Sequence, residues 1–339
     1  MIDQIINVAN QFGFSDAYGI FKGYCGSQVV ILMYHRVGPN KNEWMLPPLS
    51  TADFESQMRY LSKTHKILPL NKLAEYLRKG KSFDKKIAVV TFDDGYKDNY
   101  KYAFPILKKY NIPSTVFLVT GHIGSEDLFW FDKIRYLLWN TKLKKLELKG
   151  FGDFSLGSRD NRLHSIFMIS EKFKQIPDEK KNRLIEELVK ISNVKIPRDL
   201  GRDLILSWDE VKEMNEGGVD FGAHTVTHPI LTRASPDQAK FEILQSKKDI
   251  EKRLGNSVDT FCYPNGTYED FNTDLIDIIK ESGFSCAVST IPTMHPSKTN
   301  LYTLGRLPTA WSFESFKFFV SGCYSDASNL LNRFRRTYV

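Results

Sequence analysis

Cysteine is scarce and scattered in this chain. Its four residues, Cys25, Cys262, Cys286 and Cys323, form no C-x-x-C pair, so neither a zinc ribbon nor a disulfide framework is suggested, and they read as buried thiols. Long apolar runs are missing too, and no stretch reaches the roughly 20 residues that span a bilayer. The first residues, "MIDQIINVANQFGFSDAYGIFKGY", carry Asp3 where a signal peptide wants positive charge and lack a continuous apolar segment. Cytoplasmic residence is the expectation. Charge of one sign is in small excess: 47 Lys and Arg stand against 40 Asp and Glu, giving +7 over 339 residues. That reads as a solvated surface rather than a polyanion-binding face, and no nucleic-acid partner is expected.

What is present is ordinary globular material with 42% hydrophobic residues, enough for a large core. Short apolar runs bounded by turn residues recur: "VVILMYH" (29–35), "IAVVTF" (87–92), "STVFLV" (114–119), "VDFGAH" (219–224), "VDTFCYP" (258–264), "SCAVST" (285–290) and "YTLGRLP" (302–308). Several are apolar on both faces, as parallel strands covered by helices are. Between them lie the helix candidates "TADFESQMRYLSK", "NYKYAFPILKKY", "SWDEVKEMNEGG", "SPDQAKFEILQSKKDIEKRLG" and "NTDLIDIIKESG". The first, fourth and fifth open on Thr, Ser or Asn capping candidates. Repeated strand–helix units predict a parallel sheet, open or closed as a barrel, with functional residues at the C-terminal strand ends. His35, Asp93, Asp94 and His224 fall there. Residues 125–203 break the alternation, being rich in Lys, Phe and Leu with no strand run of comparable strength, and are expected to form a largely helical insertion over the barrel mouth.

Two stretches carry chemistry. "TFDDG" puts Asp93 and Asp94 side by side at the end of a buried-looking run, where like charges repel and an unpaired buried carboxylate is costly. "GAHTVTH" places His224 and His228 four residues apart, a spacing that suits a shared face in strand or helix. Two imidazoles and one carboxylate make the ligand type of catalytic sites that leave positions open for water or substrate. One acid can then bind the cation while its neighbour acts as a base beside it, and the cation offsets the repulsion.

With these residues in place, the sequence resembles the polysaccharide deacetylase family, the NodB homology domain of carbohydrate esterase family 4. "TFDDG" matches the family's first motif and "HTVTH" its second, over a similarity spanning 29–125 and 204–322. The resemblance implies a distorted (β/α) barrel of about seven parallel strands, with Asp93 as catalytic base and Asp94, His224 and His228 holding a divalent metal, usually Zn2+, with Co2+, Ni2+, Mn2+ or Fe2+ as alternatives. "ILMYHRV", "FCYPNG" and "LGRLP" resemble the branch whose motif order is circularly permuted, which makes His35 the general acid, with His122 and His295 as rivals. The turn at Tyr263, Pro264 and Asn265 would face the substrate oxyanion. Where many members have Arg-x-Pro-Tyr this chain has Cys262 at the arginine position, and Arg306 is the candidate substitute. No Asp-x-x-Asp-Trp motif is present.

The implied reaction is removal of an N-acetyl group from an amino sugar, releasing acetate. The substrate would be an oligosaccharide or a nucleotide- or lipid-linked precursor. Within the insertion, Trp130 suits stacking on a sugar ring and Asp132 suits bonding its hydroxyls. The basic stretch "TKLKKLELK" and the tail 323–339 would suit a phosphate-bearing lipid and a peripheral contact with the inner face of the membrane, while residues 1–28 stand apart as an N-terminal extension. Two other readings use the same residues: a non-haem iron oxygenase, whose site is also two His and one carboxylate, and a metal-free carbohydrate-binding derivative of a deacetylase.

Overall fold

The computed structural model describes residues 29–293, 300–309 and 312–320. The N-terminal extension, the basic tail and His295 lie outside the described residues. In chain order the elements are β1 (Val29–Tyr34), α1 (Thr51–Thr64), β2 (Lys66–Ile67), α2 (Leu70–Arg78), β3 (Ile87–Phe92), a π-helical turn (Asn99–Ala103) running into α3 (Phe104–Lys109), and β4 (Ser114–Leu118). The segment that breaks the alternation forms α4 (Trp130–Asn140), a hairpin of β5 (Lys145–Leu148) and β6 (Gly152–Ser155), α5 (Arg159–Lys174), α6 (Asp178–Ser192) and α7 (Leu200–Leu204). The barrel resumes with α8 (Trp208–Glu216), β7 (Val219–Ala223), α9 (Pro236–Leu254), β8 (Thr260–Cys262), α10 (Thr273–Glu281), β9 (Cys286–Val288), β10 (Leu307–Pro308) and α11 (Phe313–Val320).

The main sheet runs β10-β1-β3-β4-β7-β8-β9 with β2 added beside β3, and every pairing in it is parallel. It curls into a barrel. The seam is bridged by the chain itself, since Leu304 pairs with Val288 of β9 and the residues just after it pair with β1.

Alternation along the strands sorts the core into two layers. Val29, Ile31, Ile87, Val89 and Phe117 meet Cys262, Val288 and Leu304 inside the barrel, with Leu70, Leu73 and Leu77 of α2 packed onto the same cluster. Val30, Leu32, Ala88, Val90 and Val116 face outward under the covering helices. Both faces are therefore buried, which is why the strands read as continuous apolar runs.

Capping shows why the helices start where they do. Ser50, one residue before the expected Thr51, accepts the Asp53 N–H to open α1. Ser207 and Glu210 form a reciprocal box at α8, and Ser235 caps α9, which stops at Gly255 in a left-handed turn (φ 73°). The helix expected over 99–110 is instead a π-turn followed by α3. Pro105 near the start of α3 has no N–H to give to the preceding turn.

The insertion is more than helical, because "KLEL" and "GDFS" pair as an antiparallel hairpin. Its residues form a core of their own, in which Ile134, Leu137, Leu146, Phe154, Ile169 and Leu188 are buried together. Among the described residues no helix is long and apolar enough to cross a membrane.

Candidate active site

The barrel register decides which residues meet. Tyr34 lies opposite Phe92, and Leu118 opposite Ala223, so His35, Asp93 and His224 each leave a strand at the same end of the barrel. Asp93 keeps the inward phase of Val89 and Thr91, and its N–H still donates to the Tyr34 carbonyl at 2.9 Å. Asp94 then departs from the strand with φ 74°, and Gly95 follows at φ 78°. A Cβ on Gly95 would lie 2.9 Å from Leu118 Cδ2, so the tight turn needs glycine for space as well as for conformation. The two neighbouring carboxylates are thus separated by a left-handed kink in addition to strand alternation.

His224 and His228 are brought together by a loop, not by a shared strand or helix face. Thr225 and His228 both have positive φ, 69° and 59°, conformations that β-branched and bulky residues adopt only when the surroundings hold them. The holding group is Glu242 of α9, nearly fully buried, whose carboxylate accepts the Val226 N–H (2.6 Å), the Thr227 N–H (2.9 Å) and the Thr227 hydroxyl (2.6 Å). Nothing in the sequence singled out Glu242, since a glutamate in a charged amphipathic helix reads as solvent-facing.

The donors fit a divalent cation. His224 Nε2 and His228 Nε2 stand 3.6 and 3.5 Å from the same oxygen, Asp94 Oδ1, too far for good hydrogen bonds but suited to ligands sharing an ion with bonds of about 2.0–2.2 Å. The other nitrogen of His224, Nδ1, is 2.7 Å from the Cys262 carbonyl; donating there fixes the tautomer that frees Nε2. Burial, with His224 alongside, pushes His228 down to about 3, which leaves its ring neutral near pH 7. The three donor atoms lie within 4.8 Å of one another and all three residues are buried.

Asp93 lies beside this cluster, its carboxylate within 4.8 Å of a His224 nitrogen and of Cys262 Sγ, and is held by Arg306. The guanidinium meets the carboxylate as a fork, Nη1 to Oδ1 and Nη2 to Oδ2 at 2.7 Å each, while its remaining donors go to Thr91 Oγ1, the Ser289 carbonyl and Cys262 Sγ. Arg306 is 0% exposed. Burial opposes ionisation of Asp93, but the Arg306 fork outweighs it and holds the carboxyl well below the usual range. His35 Nε2 is 3.8 Å from Asp93 Oδ2, with the side chain 48% exposed at the mouth. His122 lies elsewhere, its ring 4.6 Å from that of Phe129.

These groups open into a pocket of about 490 Å³ whose far wall is the insertion, contributing Phe131, Asp132, Arg135 and Phe167. Asp132 lines it, pushed up to about 6 by burial, and accepts the Tyr96 hydroxyl at 2.7 Å. Asn265 also lines it, in a left-handed turn at φ 61°.

Three expected substrate contacts are placed differently. Tyr263 is fully buried, with its hydroxyl donating to the Tyr302 carbonyl and its ring stacked on Phe271; neither it nor Pro264 lines the pocket. The rings fill the space behind the turn because the strand phase that carries Cys262 inward carries Tyr263 outward. Trp130 touches the pocket but is only 7% exposed, and its indole N–H donates to the His228 carbonyl at 3.1 Å. Little of its ring is left for a sugar to stack on.

Comparison with known proteins decides the kinship. The sequence model described as Polysaccharide deacetylase matches residues 80–287. The chain belongs to the polysaccharide deacetylase family. A poly-beta-1,6-N-acetyl-D-glucosamine N-deacetylase of Staphylococcus aureus is 35% identical over 261 residues, 76% of this chain and 67% of that protein. Among solved structures, the Streptococcus pyogenes deacetylase PplD in complex with acetate superposes with a TM-score of 0.56 at 21% identity, covering 84% of this chain and 93% of its own. IcaB from Ammonifex degensii does so at 0.54 and 20%, covering 87% and 98%. These likenesses show that the deacetylase barrel is the fold seen here.

Proposed function

We propose that this polysaccharide deacetylase hydrolyses the N-acetyl groups of an N-acetylglucosamine polymer with the help of a divalent ion, most suitably Zn2+. The observation that carries the reading is the pairing of Asp93 with Arg306 beside the Asp94–His224–His228 cluster, because it gives two adjacent acids two different tasks. Asp93, held well below the ordinary carboxylate range, is a weak base that needs an acidified water; Asp94, His224 and His228 would hold the divalent ion, which would supply that acidification and polarise the acetyl oxygen.

The chain's own groups complete the chemistry. Arg306 keeps both Asp93 oxygens aimed, so the base needs no reorientation as water attacks. In the turn after β8, the Tyr263 N–H donates to Val288 and the Gly266 N–H to Pro264, and proline has none. The N–H of Asn265 is the donor left to face the developing oxyanion. His35, exposed at the mouth and within 3.8 Å of Asp93, protonates the departing amine. The staphylococcal relative supports a β-1,6-linked substrate.

Acetate release from a panel of β-1,6-linked and β-1,4-linked N-acetylglucosamine oligomers, sugar nucleotides and polyprenyl-linked sugars tests the reading. Turnover should be highest on the β-1,6 oligomers, and no acetate from any of them would refute it. His35→Ala should lower kcat by about 10² to 10⁴ and remove the alkaline limb of the pH–rate profile while metal content stays unchanged. Near-normal turnover in that variant would move the acid elsewhere.

A further inference from the structure

The two histidines of the cluster are oriented in unequal ways. His224 is fixed through its ring, by the 2.7 Å contact of Nδ1 with the Cys262 carbonyl. The equivalent atom of His228, Nδ1, is buried and has no hydrogen-bond partner. Metal-binding imidazoles almost always have one, because it sets ring orientation. His228 also sits in a left-handed conformation directly before Pro229, where the proline ring crowds the preceding residue. A strained backbone carrying an untethered ring should wander, yet both ends of this residue are held. Its N–H donates to Thr225 Oγ1 at 3.0 Å, and its carbonyl accepts the Trp130 indole N–H at 3.1 Å.

Trp130 is itself pinned from behind. The ammonium of Lys181 lies 4.9 Å from its ring centroid, and Lys181 is buried and paired with Asp178, whose other oxygen accepts from Gln238 of the barrel helix α9. The neighbouring residue Phe131 sets its ring edge-on to the His228 imidazole, with centroids 5.3 Å apart. Of the contacts made to His228 itself, those from Trp130 and Phe131 come from the insertion and that from Thr225 from the loop after β7.

We propose that Trp130, backed by Lys181 and flanked by Phe131, is a positioning residue for His228, so that the insertion acts as the clamp of one metal ligand and not only as a wall of the substrate pocket. It takes the place of the missing ring partner: where His224 is oriented through Nδ1, His228 is oriented through its own carbonyl and through aromatic contact. This rests on the reading of Asp94, His224 and His228 as ligands.

The test is equilibrium binding of Co2+ and Zn2+ to metal-stripped protein, by chelator competition and by the visible absorption of bound Co2+. Trp130→Phe keeps most of the ring and removes the N–H; Phe131→Leu keeps the N–H and removes the edge contact. Each should weaken metal binding about 10- to 100-fold, as loss of an orienting partner does, with an altered Co2+ spectrum and a metal-free melting temperature close to that of the parent. Parent-like affinity and spectrum in both variants would overturn the proposal. If Trp130→Phe fails to fold, Phe131→Leu decides alone. The parent and His228→Ala serve as controls: a parent that binds no divalent ion would sink the ligand assignment itself, whereas a parent that binds and a His228→Ala that does not would leave any failure with the clamp.

Discussion

Asp93→Asn should keep its divalent ion and lose turnover by about 10² to 10⁴, the usual worth of a positioned base, whereas Asp94→Ala should lose ion and activity together. Asp94 Oδ1 is the oxygen on which both histidine Nε2 atoms converge, at 3.6 and 3.5 Å. Asp93 has both oxygens in the Arg306 fork. An asparagine of nearly the same shape still fills that space, but it cannot accept the proton. Metal analysis of both purified variants, beside acetate release, separates the roles. Equal metal loss in the two would show that the acids act as one ligand pair and not as ligand and base.

Removing Arg306 should cost stability as well as rate. Arg306→Met leaves a buried carboxylate without its counter-charge, and breaking a buried pair from one side costs about 3–5 kcal/mol, a large share of the roughly 5–15 kcal/mol that holds a domain folded. The pH dependence should invert in a readable way. In the parent, Asp93 lies well below the usual carboxylate range, so its contribution is present above that range and is lost only as pH falls through the depressed value. In the variant, burial loses its main opponent, leaving only the weaker pull of His35 and His224, and Asp93 rises, so the deficit is greatest at neutral pH and shrinks on acidification. The acid limb of the rate profile should climb for the same reason, because the base must be ionised. Arg306→Lys should fall between the two, since it restores charge without the planar fork. A melting temperature and acid limb unmoved in Arg306→Met would show that solvent, not Arg306, supports Asp93.

Residues with a local physical signature were legible in the sequence. Strands buried on both faces appear as apolar runs, and the apolar "IAVVTF" coincides with β3 residue for residue. Groups at strand ends announce themselves because a polar residue after such a run has one place to go. What the sequence hid depends on contacts between distant segments. The short α2 and β2 carry no run long enough to stand out, and the β5–β6 hairpin is charged on its open face. Trp130 looks like a sugar platform in isolation, and only the packing of the insertion against the loop after β7 directs its N–H to His228. Arg306 could be named as a candidate but not aimed. Its orientation follows from Gly305, where a Cβ would come within 2.2 Å of the Ile291 carbonyl, so only a bare backbone can pass there and deliver the guanidinium inward.

The span between Asp93 and Arg306 has a consequence for how the protein is made. They are 213 residues apart, and at about 5–20 residues per second a ribosome needs roughly 10 to 40 seconds to go from one to the other. During that time the strand bearing the base is already out, while the cation that neutralises it does not yet exist. A carboxylate in that position resists being sealed away from water, so the nascent barrel should stay wet and open along the β1 edge until β10 docks. The same ion pair that aims the base should therefore also time the closure of the fold, and the newborn chain should be most exposed to edge-to-edge association and to proteolysis in the interval before residue 306 emerges.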